Sequence, residues 1–361
     1  MFGIEASQSS SSSNIEHRKI QVTGGSTYIV SLPKKWVKQN NLNASDIVAV
    51  ERLTNGNIQI SPFQTKPKKN IITIDIKNQT ESELYVCLIG AYLAGADVIC
   101  VDSKSKISTK HRRIIREFLR EARGMDISGD NESKVYLVSL MKQNELPLKF
   151  SLNRMYLLVT QIVEDAISVM NGENCDLLSD LEERERQIDA RRLLVARQVA
   201  MALQSSSVER ALGIDHFQGM EHVSMARALE RMGDHAHSFA NLILHQREHP
   251  GQNLLRKETL QIPLQHLSSW KNALKKIIHN TNSKDITNII EAKQELHEAI
   301  SDLEEFEDGL IQSNKYNISS FRFSEKTRRL CAYSIDLAET LINILMASRL
   351  SLFDHEEVLF V

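Results

Sequence analysis

The stretch Leu229–Leu244 constrains the fold more than any other part of this chain. Its sequence, LERMGDHAHSFANLIL, spaces apolar residues as an α-helix requires and carries two carboxylates, Glu230 and Asp234, four residues apart. That spacing places both on one helix face, where like charges repel unless a cation neutralises them. A second pair with the same spacing, Glu185 and Asp189, lies on an earlier helical pattern. Two such helices packed face to face would present four carboxylates to one point.

These carboxylates predict a metal site, because helical bundles build carboxylate metal sites from facing helices. Oxygen ligands suit divalent or trivalent ions, and the candidates are Mg, Mn, Fe and Zn. His237 lies three residues after Asp234 and is a better-placed ligand than His235. The alternative is a network of surface ion pairs, since Arg227 and Arg231 stand three residues before the two acids, and such pairs stabilise little.

From Leu152 onward the pattern is entirely helical. We expect helices near 152–172, 175–204, 214–247, 259–280, 283–312 and 321–352. Pro250-Gly251 divides them into two halves of three long helices each, and the halves resemble a repeat.

The second half keeps only part of the carboxylate pattern. Glu291 and Glu295 stand in for the first pair, and Asp336 aligns with Asp234. Ala332 occupies the position equivalent to Glu230, which leaves metal binding by the second half open.

Residues 70–150 follow a different order, strand-helix-strand-helix-strand, which is typical of a small α/β unit. The expected strands are 71–76, 96–101 and 134–141, and the expected helices are 81–94 and 109–123.

Residues 17–62 predict a small β module. The first hairpin has strands at 19–22 and 28–32 around Gly24-Gly25. The second has strands at 47–52 and 57–61 around Asn55-Gly56, and the short helix PKKWVKQN lies between the two hairpins. Fewer than fifty residues of thin strands bury little core, so we expect this module to dimerise.

Charge is distributed unevenly along the chain. Residues 1–69 hold nine Lys/Arg against four Asp/Glu, a balance of +5, and the remainder carries −7. A basic head on an acidic body is typical of a nucleic-acid-binding module joined to another function.

The helix ALERMGDHAHSFANLI resembles the signature helix of the phosphate-uptake regulator (PhoU) family, and the resemblance covers about residues 150–355. It implies two three-helix repeats whose E-x-x-x-D motifs hold metal clusters. It also implies regulation of phosphate uptake and phosphate-dependent signalling, with a phosphate transporter or sensor kinase as partner and no enzymatic activity.

Residues 17–62 resemble the SpoVT/AbrB-type DNA-binding domain in the strand pair, the LPKKW turn and the LNASDIVAVE segment. This resemblance implies a swapped-hairpin dimer that binds duplex DNA. The DNA contacts would come from Arg18, Lys19, Lys34, Lys35 and Lys38. Lysine lacks the bidentate fork that reads guanine, so we expect phosphate contacts; the alternative is a solvated helix face.

The expected fold is multi-domain, with a small swapped-hairpin β module, a small α/β unit and an all-α body of two three-helix repeats. The boundaries are 1–16 for a disordered arm, 17–63 for the DNA-binding domain, 70–149 for the α/β domain, and 150–249 and 253–355 for the repeats.

No run approaches 18 consecutive apolar residues and the four cysteines are scattered, so we expect a cytoplasmic protein without membrane insertion. Because the small β module should dimerise, we expect the protein to be a homodimer or a higher oligomer. No catalytic arrangement and no nucleotide-binding loop can be assigned. The leading hypothesis is a transcriptional regulator of phosphate homeostasis. The alternatives are an adaptor whose head serves as a dimerisation or antitoxin-like module, and a di-metal carboxylate enzyme.

Overall fold

A computed structural model describes residues 15–52, 56–63, 69–77, 79–141, 147–249, 255, 259–282, 285–312 and 317–350. The chain divides into two compact units, residues 1–68 and 69–361. Most of the expected N-terminal arm, Asn55 of the second hairpin turn and the Pro250-Gly251 boundary lie outside the described residues.

The first unit consists of two antiparallel hairpins and one short helix. Strands β1 (Gln21–Thr23) and β2 (Thr27–Ile29) pair around Gly24-Gly25, whose positive φ angles a glycine adopts without steric cost. Helix α1 (Lys34–Gln39) follows, and then β3 (Val48–Arg52) pairs with β4 (Ile58–Pro62). The predicted hairpin module is confirmed. No described residue of this unit is buried, so its described part has no core of its own.

The second unit begins with a four-stranded sheet and two helices. Its elements are β5 (Ile71–Asp75), α2 (Glu81–Leu93), β6 (Val98–Asp102), α3 (Thr109–Glu121), β7 (Met125–Asp130) and β8 (Lys134–Ser139). The strand order is β5-β6-β8-β7, with β5 and β6 parallel and the other pairs antiparallel.

The sequence prediction missed strand β7. Its sequence, MDISGD, alternates weakly, and the strand is irregular where the register shifts between Ile127 and Gly129. A strand with polar residues and a bulge carries little period-2 signal.

The rest of the second unit is an all-α body with three long helices in each half. The helices are α4 (Leu148–Met170), α5 (Leu181–Gln204), α6 (Ser206–Leu212), α7 (His216–Glu248), α8 (Gln261–His279), α9 (Thr287–Gln312) and α10 (Ile318–Ala347). One continuous apolar core joins the two halves. Within it, the Phe239 ring lies 4.8 Å from the Phe323 ring, and Trp270 Nε1 donates to Ser334 Oγ at 2.9 Å. The multi-domain fold class is thus confirmed.

The helix expected at 175–204 is not continuous. It starts as a single 3₁₀ turn, Cys175–Leu178, and α5 begins only at Leu181. After Gln204 the extended backbone of Ser205 separates α5 from the short α6, which the sequence prediction did not include. Serine hydrogen-bonds to nearby backbone and therefore favours helix ends over helix interiors.

The α/β unit is anchored to the body through α5. Leu193 of α5 is buried in the core of the α/β unit. Arg197, which is 4% exposed, donates from Nη1 to the carbonyl of Tyr92 at 2.6 Å and from Nη2 to that of Ala96 at 2.8 Å. Its guanidinium also lies 4.8 Å from the centroid of the Tyr92 ring. A buried arginine is retained only where such partners satisfy it.

One described helix, α10, is long and apolar enough to cross a membrane by length and composition, although the sequence prediction found no such segment. Half of its most apolar stretch is buried within the body, which is the pattern of a core helix.

Candidate metal centre and nucleic-acid interface

Helices α5 and α7 pack side by side and carry the acidic residues on their facing surfaces. Gly233 of α7 allows this close packing. A Cβ at that position would lie 3.0 Å from Ile188 Cδ1 and 3.2 Å from Ile188 Cγ2 of α5, closer than ordinary van der Waals contact. Glycine inside a helix costs up to about 1 kcal/mol, and here the cost is offset by close approach of the two helices.

Two groups of potential ligands lie along this surface. The first, which we call the histidine group, consists of Glu182, Glu185 and His237. His237 Nε2 lies 3.0 Å from a Glu182 oxygen, and its Nδ1 lies 3.5 Å from a Glu185 oxygen. Asn241 Nδ2 also lies 3.3 Å from His237 Nε2.

The second group, which we call the carboxylate group, consists of Asp189, Glu230 and Asp234. It lies one helical turn along α5 from Glu185. Arg192 Nε lies 3.4 Å from a Glu230 oxygen but forms no hydrogen bond, although it is buried. Arg231 Nε also lies 3.8 Å from the other Glu230 oxygen, so both arginine contacts fall on Glu230.

The electrostatics of both groups favour a bound positive charge. Burial, reinforced by the charges of Glu230, Asp234 and Glu185, raises the pKa of Asp189 to about 7. Burial also raises the pKa of Glu185, Glu230 and Asp234 above their ordinary values, against the opposing effect of nearby His237, Arg192 and Arg231. The fold thus holds these acids together in a partly buried place that disfavours their negative charge.

The structure brings all four predicted carboxylates to one face, but it divides them between two groups. Glu185 joins His237, and the other three acids lie together. Glu182 was absent from the sequence prediction, although its position three residues before Glu185 places it on the same helix face. The ring of His235 stacks instead on Tyr333, at a centroid distance of 5.6 Å.

The donor atoms within each group fit an ion of ordinary size. All of them lie within 4.8 Å of one another. Two ligands on opposite sides of an ion with bonds of about 2.1 Å are about 4.2 Å apart, so small side-chain rotations would close either group. Three carboxylates suit Mg, Mn or Fe, and the imidazole of the histidine group also suits Zn.

The second half offers no equivalent group among its described residues. Glu295 forms an ion pair with Lys276 at 2.7 Å across α8 and α9. Glu291 and Asp336 are exposed, and Asp336 lies on the rim of a groove between α5, α7 and α10.

The basic residues of the first unit are exposed. Lys34, Lys35 and Lys38 lie on α1, Lys19 lies just before β1, and none of the four forms an ion pair with a described residue. Arg18 differs, because its guanidinium is paired with Glu16.

Comparison with known families matches two segments. The model of the PhoU domain matches residues 152–243, which span α4 to α7 and include both ligand groups. The model described as antidote-toxin recognition MazE, bacterial antitoxin, matches residues 21–72, which include the hairpins and α1. No curated protein matches the chain. Both matched families are regulatory and non-catalytic. One segment of the chain therefore matches the PhoU domain and an N-terminal segment matches a MazE- or AbrB-type antitoxin domain, as the two resemblances predicted.

Proposed function

We propose that this protein is a DNA-binding transcriptional regulator of phosphate homeostasis whose helical body binds metal. The observation that carries the proposal is the presence of both matched segments on one chain. A PhoU domain suggests phosphate homeostasis, and a MazE- or AbrB-type segment suggests DNA binding. Because the two segments are on one chain, a signal received by the helical body would change how much of the protein is bound to DNA.

The first unit supports binding as a dimer. Several of its large apolar side chains are more than half exposed, among them Val22 at 61%, Tyr28 at 73% and Ile58 at 67%. Without a buried core, so small a unit gains little from folding alone. A second copy that exchanges hairpins with the first would cover these side chains, and would place two α1 helices on one DNA-binding surface.

The four exposed lysines would contact DNA phosphates. An ammonium group acts as a point charge, so these contacts would set affinity and salt dependence, whereas base readout would need other groups. Arg18 would have to exchange Glu16 for phosphate.

The body would hold metal through the two groups on α5 and α7. Glu182, Glu185 and His237 would bind one ion, and Asp189, Glu230 and Asp234 another. A bound cation would supply the positive charge that the buried acids lack and would fix α5 against α7. Because α5 also anchors the α/β unit through Arg197, metal occupancy could reach the rest of the second unit through one helix.

DNA binding is tested by selecting bound duplexes from a random pool and measuring their affinity by fluorescence anisotropy over a range of salt. The variant Lys34→Ala/Lys35→Ala/Lys38→Ala should bind more weakly. Two copies would lose up to six phosphate contacts. The plot of log K against log salt should therefore become less steep, by up to about 5 in the magnitude of its slope. The control removes three exposed lysines of the α/β unit, Lys104, Lys106 and Lys110, and should bind normally.

A second candidate function is favoured by the description of the MazE match, which names recognition of a toxin protein. In that case the first unit would bind a protein, and the body would act as an adaptor for a phosphate transporter or sensor kinase. Absence of DNA binding at low salt would support this adaptor function and would contradict the regulator.

A further inference from the structure

A cavity of about 520 Å³ lies between the C-terminal half of α7 and the first turns of α10. Basic side chains line it. Arg322 and Lys326 of α10 lie four residues apart on one side of it, and His245 of α7 lies on the other. None of the described residues that line the cavity is a carboxylate.

The charge in this cavity is only partly neutralised. Lys326 Nζ pairs with Glu325 at 3.0 Å, and Glu325 also accepts from Arg329 at 3.1 Å. Arg322 forms no ion pair with any residue that the structure describes. Its guanidinium is therefore available to an anion in the cavity.

Two serine hydroxyls face the same space. Ser319 of α10 is 8% exposed and lines the cavity, and its hydroxyl makes no hydrogen bond to a described residue. Ser238 of α7 lies opposite. Both hydroxyls can donate a hydrogen bond to an anion bound in the cavity.

We propose that this cavity binds a small phosphate-bearing anion. The guanidinium of Arg322 matches the geometry of a phosphoryl group, Lys326 adds a point charge, and Ser319 supplies a hydroxyl donor. The cavity is larger than one phosphate ion, and Leu242 and Ile318 line the remaining space. The ligand is therefore either free phosphate or the phosphoryl group of a small organic molecule such as a nucleotide.

The anion cavity does not depend on the metal proposal. Of the described residues that line it, Asn241 contacts a member of the ligand groups, at 3.3 Å from His237. Binding should therefore persist in protein freed of metal by chelation. Binding that requires metal would mean that phosphate coordinates an ion, and it would overturn this inference while leaving the metal proposal intact.

The test is isothermal titration calorimetry of the chelated full-length chain with orthophosphate and, separately, with ATP. We expect a dissociation constant below about 1 mM for at least one of them. Binding of orthophosphate alone would identify free phosphate as the source, and binding of ATP alone would identify an organic phosphate. If neither binds, or if chloride at equal ionic strength abolishes the heat, the inference is wrong.

Variants locate the binding to the cavity. Arg322→Gln should weaken the affinity by about tenfold or more, because it removes a charge-assisted contact. Ser319→Ala should weaken it by about threefold or more. Arg247→Gln removes an exposed arginine of α7 outside the cavity and should bind normally. Equal affinities for Arg322→Gln and the wild type, with circular dichroism confirming the fold, would refute the assignment.

Discussion

Replacing Asp189 with asparagine should stabilise the metal-free protein and weaken metal binding. Burial and three neighbouring acids raise the pKa of this carboxyl from its ordinary value of 3.8 to about 7. A raised acid pKa means that the folded state binds the proton more tightly than the unfolded state. The stability of the native state therefore falls as pH rises from about 4 to about 7, and stays low above that range.

The size of the expected change in stability follows from the raised pKa of Asp189. One pKa unit corresponds to 1.36 kcal/mol, which gives an upper bound of about 4 kcal/mol for the full shift. The carboxyl is partly exposed, and solvent screening lowers the expected effect to about 2 kcal/mol. Asp189→Asn should thus raise the free energy of unfolding of the chelated protein by about 2 kcal/mol at pH 8, and by less than half of that near pH 5.

The assay is urea unfolding of chelated protein, followed by circular dichroism of the helices at both pH values. The control Asp308→Asn removes an exposed acid of α9 and should change stability little at either pH. With saturating Mn²⁺ the wild type should become more stable than Asp189→Asn, because only the wild type gains stability from binding at the carboxylate group. The reasoning is refuted if Asp189→Asn destabilises the chelated protein at pH 8, or if its effect does not change with pH.

Three further results are expected. Manganese affinity, measured by calorimetry, should fall as pH drops below about 7, since protons compete for the carboxyl of Asp189; constant affinity from pH 8 to 5.5 would contradict a ligand role. Arg197→Met should lower the free energy of unfolding by about 2 kcal/mol, because the carbonyl of Ala96 loses its side-chain donor and that of Tyr92 keeps only backbone donors; a change below the error of denaturant titration would contradict the anchoring role. Gly233→Ala should weaken manganese binding without improving stability, because its Cβ would crowd α5 and offset the gain in helix propensity; unchanged metal affinity would show that the close approach is not needed.

The helical body could be predicted well from the sequence because its signal is strong. Long segments with a period of 3.6 residues, such as Leu229–Leu244, leave little choice of structure, and α7 contains that segment whole. The same reasoning placed the two hairpins of the first unit, where Gly24-Gly25 identifies one of the turns. Strand β7 was missed because polar residues and a bulge weaken its alternation, and helix α6 was missed because it spans only seven residues.

The candidate site could be predicted only in outline. Spacing within one helix shows which residues share a face, and this was enough to select Glu185, Asp189, Glu230 and Asp234. How far one helix is shifted along the other is decided by packing across the interface, here by Gly233 against α5, and no pattern within one helix records it. The division into two groups therefore emerged only from the structure.

Arg197 illustrates a further limit of the sequence. In the helical pattern it reads as an ordinary charged residue, yet it is buried and donates to two carbonyls about one hundred residues away along the chain. Nothing near Arg197 in the sequence indicates that the α/β unit supplies those acceptors. Contacts of such long range follow from the docking of one unit on another.

Metal analysis of the purified protein, beside Glu230→Ala/Asp234→Ala, tests the central claim most directly. The full-length proteins would be loaded with manganese, freed of unbound ions on a desalting column and measured by plasma mass spectrometry. The account predicts bound metal in the wild type and the loss of about half or more of it in the variant, since the carboxylate group is one of two groups. Equal metal content in the two proteins, or none in either, would contradict it.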